Sequence, residues 1–116
     1  MELKQVYEQL SGSYESVMSR LMTEERVKKY LLKFLDQQMD CLILSALEAE
    51  DYETAFREAH NLKGVCANLN LDRLQISASE LTEALRGGKP EADITPLVEA
   101  VKADYRFTIE ALENLR

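Results

Sequence analysis

Three features of the 116-residue chain predict an all-α fold, an antiparallel four-helix bundle with two short helices packed against it. Apolar residues recur at three-and-four spacing along most of the chain, and they never alternate for long enough to suggest a strand. Four glycines and two prolines are too few for the closely spaced turns of an all-β domain. A hydrophobic share of 46% with 30% charged residues suits a chain that folds about one core rather than a disordered one.

The elements follow in order. Leu3, Val6, Tyr7 and Leu10 mark a first short helix, stopped by Ser11-Gly12-Ser13. Tyr14, Val17, Met18 and Leu21 mark a second. Residues 1–22 thus form an N-terminal pair and residues 23–116 the bundle, within a single domain spanning 1–116. Thr23 is placed to cap the next helix, with Glu24 and Glu25 at its positive end. Val27, Tyr30, Leu31, Phe34 and Leu35 form one stripe, continued by Met39, Leu42, Ala46 and Leu47. The expectation is one long helix to about Ala49, with a kink conceivable at Asp36-Gln37-Gln38.

The short Glu50-Asp51 connection implies an antiparallel neighbour, capped by Asp51 and running to about Asn68. Ala55, Ala59, Leu62, Cys66 and Leu69 make its core side, and Asn70 tolerates the left-handed backbone that ends it. Asp72 is expected to cap a further helix with Leu74, Ala78, Leu81 and Leu85 inward, ended by Gly87-Gly88 and Pro90. Thr95-Pro96 reads as a cap followed by a proline in the first turn, opening a last helix striped by Leu97, Val101, Tyr105, Ile109 and Leu112.

Charge and cysteine content narrow the function. A formal charge of −7 argues against nucleic-acid binding and against docking on anionic lipid. The longest apolar run, Cys41 to Leu44, is too short to span a bilayer, and the opening MELKQVYEQL does not resemble a signal peptide. Two cysteines and one histidine exclude a four-ligand Cys/His zinc site within one subunit. Cys41 and Cys66 are expected to be free, mostly buried thiols in a reducing compartment, the cytoplasm.

His60, the single histidine, falls off the core stripe. At about 100° per residue, Phe56, His60, Lys63, Gly64 and Ala67 share a separate, exposed face. Alone, an exposed histidine is an ordinary surface residue, but its neighbours alter the reading. Lys63, one turn on, puts an ammonium beside anything attached to the imidazole. Gly64 costs about 1 kcal/mol against alanine in a helix interior, and close approach by another surface is the usual reason for such a glycine. A nucleophilic ring, a cation and bare backbone together suit phosphoryl transfer, which is mostly positioning and charge neutralisation.

The run AHNLKG, Ala59 to Gly64, resembles the H-x-L-K-G signature of histidine-containing phosphotransfer (HPt) domains, and the resemblance continues over VCANLNLDRL. It implies a four-helix bundle in which His60 carries a phosphoryl group, Lys63 stabilises it and Gly64 admits the partner. Some members of that family add a glutamine and an arginine from the following helix; counting along this chain, Thr82 and Arg86 fall at those positions. Arg86 reads equally well as a cation closing its own helix. Two departures stand out: Asn70 in place of the usual turn glycine, and Val65 where a small residue usually follows the signature. The resemblance also implies partners, namely the receiver domains of response regulators or hybrid histidine kinases, which carry the Mg2+; no cofactor of the chain's own is expected. Docking would use apolar residues around His60: Phe56, Ala67, and Met39 and Leu42 from the preceding helix.

No P-loop, glycine-rich loop or kinase motif accompanies His60, so a relay rather than a kinase is expected. The rival readings are a degenerate helical interaction module without phosphotransfer, and a general-base histidine in an unrelated helical enzyme, which would need a deep pocket. A monomer suits a histidine that must meet a receiver, and the initial Met suits a free-standing carrier, though a domain of a larger kinase remains the alternative.

Overall fold

The computed structural model describes residues 2–116; Met1, counted above with the N-terminal pair, lies outside the described residues. Among the described residues the chain forms seven α-helices: α1 (Leu3–Leu10), α2 (Tyr14–Leu21), α3 (Glu24–Gln37), α4 (Met39–Glu48), α5 (Tyr52–Leu69), α6 (Asp72–Leu85) and α7 (Thr95–Glu113). The result is an all-α bundle measuring 43 × 22 × 19 Å. Helix α5 packs against α4 on one side and α6 on the other, and α7 closes the bundle against α6, α4 and α3. Helix α1 lies on α7, and α2 bridges α3 and α5.

In three of these helices the N-cap residue itself supplies a side-chain oxygen. Ser13, Thr23 and Asp51 accept from the backbone N–H groups of Ser16, Arg26 and Thr54, satisfying donors that a helix start leaves free. Two expected caps are shifted by a residue. Asp72 is the first residue of α6 rather than its cap, so its carboxylate acts on the helix dipole from the first turn. Thr95 likewise opens α7, and its backbone N–H and hydroxyl both donate to the Asp93 carboxylate.

The single long helix expected from Thr23 to Ala49 is instead two, divided within the Asp36-Gln37-Gln38 segment where a kink was conceivable. Gln38 adopts a left-handed conformation (φ 49°, ψ 49°), ending α3 and starting α4. Such a backbone costs a non-glycine residue about 1–2 kcal/mol, and a tertiary contact offsets it: the first N–H of α4, on Met39, donates to the Tyr105 hydroxyl at 2.9 Å. Because the left-handed residue changes the helix phase, the inward set of α4 is Met39, Ile43 and Ala46, and Leu42 turns out to 50% exposure. Tyr30, expected on the α3 stripe, is exposed as well.

The core joins all seven helices, with Tyr7, Phe34, Leu62, Leu74, Leu81 and Leu112 among its fully buried members. One end of α5 is tied to the N-terminal helices. Tyr7 donates from its hydroxyl to the Leu69 carbonyl, and Arg20 reaches the last carbonyls of α5. At Gly12 a Cβ would collide with the Asn70 carbonyl oxygen, so only glycine lets the α1–α2 turn approach so closely. No described helix is long and apolar enough to cross a membrane.

Candidate functional site

Helix α5 owes its orientation to a narrow core stripe. Ala55, Ala59, Leu62 and Cys66 are completely buried and Leu69 nearly so, which turns the opposite side of the helix to solvent. His60 is exposed on that outer side, with Gly64 exposed and Phe56, Lys63 and Ala67 half-buried around it. The five residues placed together by helical spacing therefore do share one face.

The imidazole is stacked. Its ring lies nearly parallel to that of Phe56, with centroids 6.1 Å apart and 10° between planes. The Arg86 guanidinium carbon sits 5.2 Å from the centre of the same Phe56 ring, so an aromatic side chain of α5 touches both the histidine and a cation from the end of α6. Arg86 is in turn bonded to Glu83, through Nε to Oε2 at 3.0 Å and Nη2 to Oε1 at 2.9 Å. The Glu83 carboxyl is held below the usual carboxylate range chiefly by Arg86, with further contributions from Lys63 and His60. Lys63 and His60 thus both act on Glu83, while Arg86 and His60 flank the Phe56 ring, so two cations, a carboxylate and an imidazole share this part of the surface.

Thr82 does not belong to this cluster. It is completely buried, and its hydroxyl donates to the Ala78 carbonyl one turn back in its own helix. Counting residues gives the right height along α6 but not the right side, because each residue turns the helix by about 100°. Glu83, one position on, takes the outward place instead. The signal was available: Leu74, Ala78, Leu81 and Leu85 set the inward side of α6, and a glutamate three residues before Arg86 is within ion-pair spacing.

The apolar surroundings also differ from expectation. Met39 is only 8% exposed and belongs to the core beside the α3–α4 break, which removes it from any docking surface. Leu42 is half exposed; about the tight turn between α4 and α5 it lies about half a helical turn from the height of His60. Gly64 meets nothing: a Cβ there would find no atom within 4 Å. Among the described residues no packing demand explains the glycine.

Cys66 is buried and burial pushes its thiol up to about 12, whereas Cys41, also expected to be buried, is exposed on α4. The change follows from the new phase of α4 after Gln38. Among the described residues no group of three or more His, Cys, Asp or Glu side chains is placed to hold a metal ion.

Fold and site together define a helical bundle that presents a single histidine, with cations beside it, on an open face rather than in a cleft. The family model of the Hpt domain matches residues 29–115, and the chain belongs to that family. Its members are phosphotransfer carriers of phosphorelays, so membership sets the general activity as histidine phosphotransfer. The match begins within α3, and α1 and α2 precede it. Comparison with curated proteins and with solved structures gave no match.

Proposed function

We propose that the chain is a phosphorelay carrier that accepts a phosphoryl group on His60 from an aspartyl-phosphate receiver domain and passes it to another receiver. The observation that carries this reading is the placement of the only histidine, exposed beside Lys63 and the uncovered backbone of Gly64. In the transfer a neutral ring nitrogen attacks phosphorus, the bond from phosphorus to the aspartyl oxygen breaks, and the electron pair leaves with the carboxylate. The proton on the other ring nitrogen stays or passes to water.

Lys63 neutralises charge on the transferred group, and Arg86, held over Phe56, supplies a second cation within the cluster. Gly64 gives the receiver room to approach, and Phe56, Ala67 and Leu42 offer it apolar contact. The Mg2+ of the reaction belongs to the receiver, and the chain works as a monomer in the cytoplasm, where its free thiols persist. The chain has no kinase activity of its own in this reading.

The test is incubation with a phosphorylated receiver domain, followed by assay for acid-labile, alkali-stable phosphate on the chain. Label is expected on the wild-type chain and none on His60→Gln. Absence of label on the former, or persistence on the latter, overturns the reading in favour of an interaction module.

A further inference from the structure

Glu83 is the one member of the His60 cluster to which the carrier reading gives no task, yet its bonding is the most specific there. Arg86 grips it in a two-pronged hydrogen-bonded pair at 3.0 and 2.9 Å while resting 5.2 Å from the centre of the phenyl ring on which His60 is stacked. With the imidazole bare, this guanidinium is therefore committed to a carboxylate. Lys63 and His60 also act on Glu83, so the carboxylate lies within electrostatic reach of whatever His60 carries.

We propose that Glu83 is a positioning residue that competes with the phosphohistidine for Arg86 and thereby lowers the stability of the loaded state. The inference rests on the carrier reading. A phosphoryl group brings close to two negative charges and three acceptor oxygens, and the planar fork of an arginine suits phosphate as well as carboxylate. Loading His60 sets two anions against one guanidinium. Arg86 and Glu83 are both more than half exposed, at 56% and 59% of their side-chain surface, so neither is locked by packing and the guanidinium is free to change partners.

Breaking the Glu83 pair opposes loading. When a receiver aspartate attacks phosphorus, the nitrogen–phosphorus bond breaks, its electrons return to the imidazole and Arg86 returns to Glu83. The carboxylate thus favours the onward step, which a relay needs as much as the first.

The experiment equilibrates the chain with a pre-phosphorylated receiver domain and magnesium, and reads the ratio of phosphohistidine to aspartyl phosphate. Glu83→Gln should raise that ratio by roughly threefold, the scale of one exposed ion pair. In an Arg86→Gln background the same substitution should move it by less than half as much, because the disputed cation is gone. Circular dichroism checks that the variants keep the fold. An unchanged ratio in Glu83→Gln overturns the proposal, and so does a full-sized shift without Arg86, which would leave repulsion alone as the cause. A wild-type chain that takes no phosphate at all overturns the carrier reading and the role of Glu83 with it.

Discussion

One terminal guanidinium nitrogen of Arg20 lies 2.9 Å from Asn70 Oδ1 and 2.8 Å from each of the carbonyl oxygens of Ala67 and Asn68. A cation from α2 thus closes the negative end of α5, the helix that carries His60, at the residue whose left-handed backbone terminates it (φ 54°). Residues ahead of the Hpt match therefore hold the end of the helix that carries His60. Arg20→Ala is expected to cost about 1 kcal/mol, the scale of an exposed cation at a helix C-terminus, and to leave phosphoryl loading of His60 intact. Urea unfolding with a parallel loading assay checks both halves; an unchanged midpoint would show that water caps α5 equally well.

Gly64 separates stability from function. Because a Cβ there meets nothing, Gly64→Ala should stabilise the chain by about 0.5–1 kcal/mol through helix propensity alone. If the bare backbone serves a partner, the same variant should receive phosphate from a receiver more slowly. The measurements are thermal unfolding and a transfer time course. Slower transfer by a more stable protein is the expected pair, and equal transfer rates would remove the partner argument.

Lys63 lies one helical turn from His60 and is half-buried. Lys63→Ala should keep the helical circular dichroism signal while shortening the lifetime of the phosphohistidine or slowing its formation, by about tenfold for loss of one charge-assisted contact. Decay of isolated, loaded protein followed by acid-quench assay distinguishes the two. Wild-type lifetime and transfer rate in this variant would leave Lys63 as a solvated surface cation.

Alkaline pH should destabilise the chain through three buried acids, Cys66, Tyr105 and Tyr7, whose phenol is likewise raised by burial. Burial first of all raises the Cys66 thiol and the Tyr105 phenol, each to about 12, from ordinary values of 9.0 and 10.0. A raised value in the folded state means that the neutral form is the one the fold retains. The stability it contributes is whole below the unfolded values and is lost as pH climbs from about 9 toward 12. The midpoint of urea unfolding should fall over that window, and less steeply in Cys66→Ala. A thiol reagent at neutral pH should label exposed Cys41 in the native protein and Cys66 only after unfolding; two fast thiols would contradict the burial.

The stripes of α5 and α6 were legible in the sequence because a helix packed on its neighbours must bury one side at a fixed angular step. That step alone put His60, Lys63 and Gly64 outside the core, and the residue types beside the histidine pointed to phosphoryl chemistry before any coordinates. Start signals that act within one turn were legible too, as at Thr23 and Asp51. Asp72 and Thr95 were misplaced by one residue, an error of the size expected where several polar residues compete for one helix start.

Only the tertiary structure decided what depends on distant partners. The break at Gln38 has no local marker such as glycine or proline; it is held by a hydroxyl 66 residues away, on Tyr105. That one residue set the phase of α4, burying Met39 and Ile43 and exposing Leu42 and Cys41. Likewise the second rank of the site turned on the rotation of α6 against α5. Thr82 at the right height points into the core, and Glu83 faces out to take Arg86. The sequence by itself determined a helical bundle and its exposed histidine, since periodicity and composition are properties of single segments. Which side chains gather around that histidine is a property of helix against helix, where a rotation of about 100° exchanges a buried residue for an exposed one.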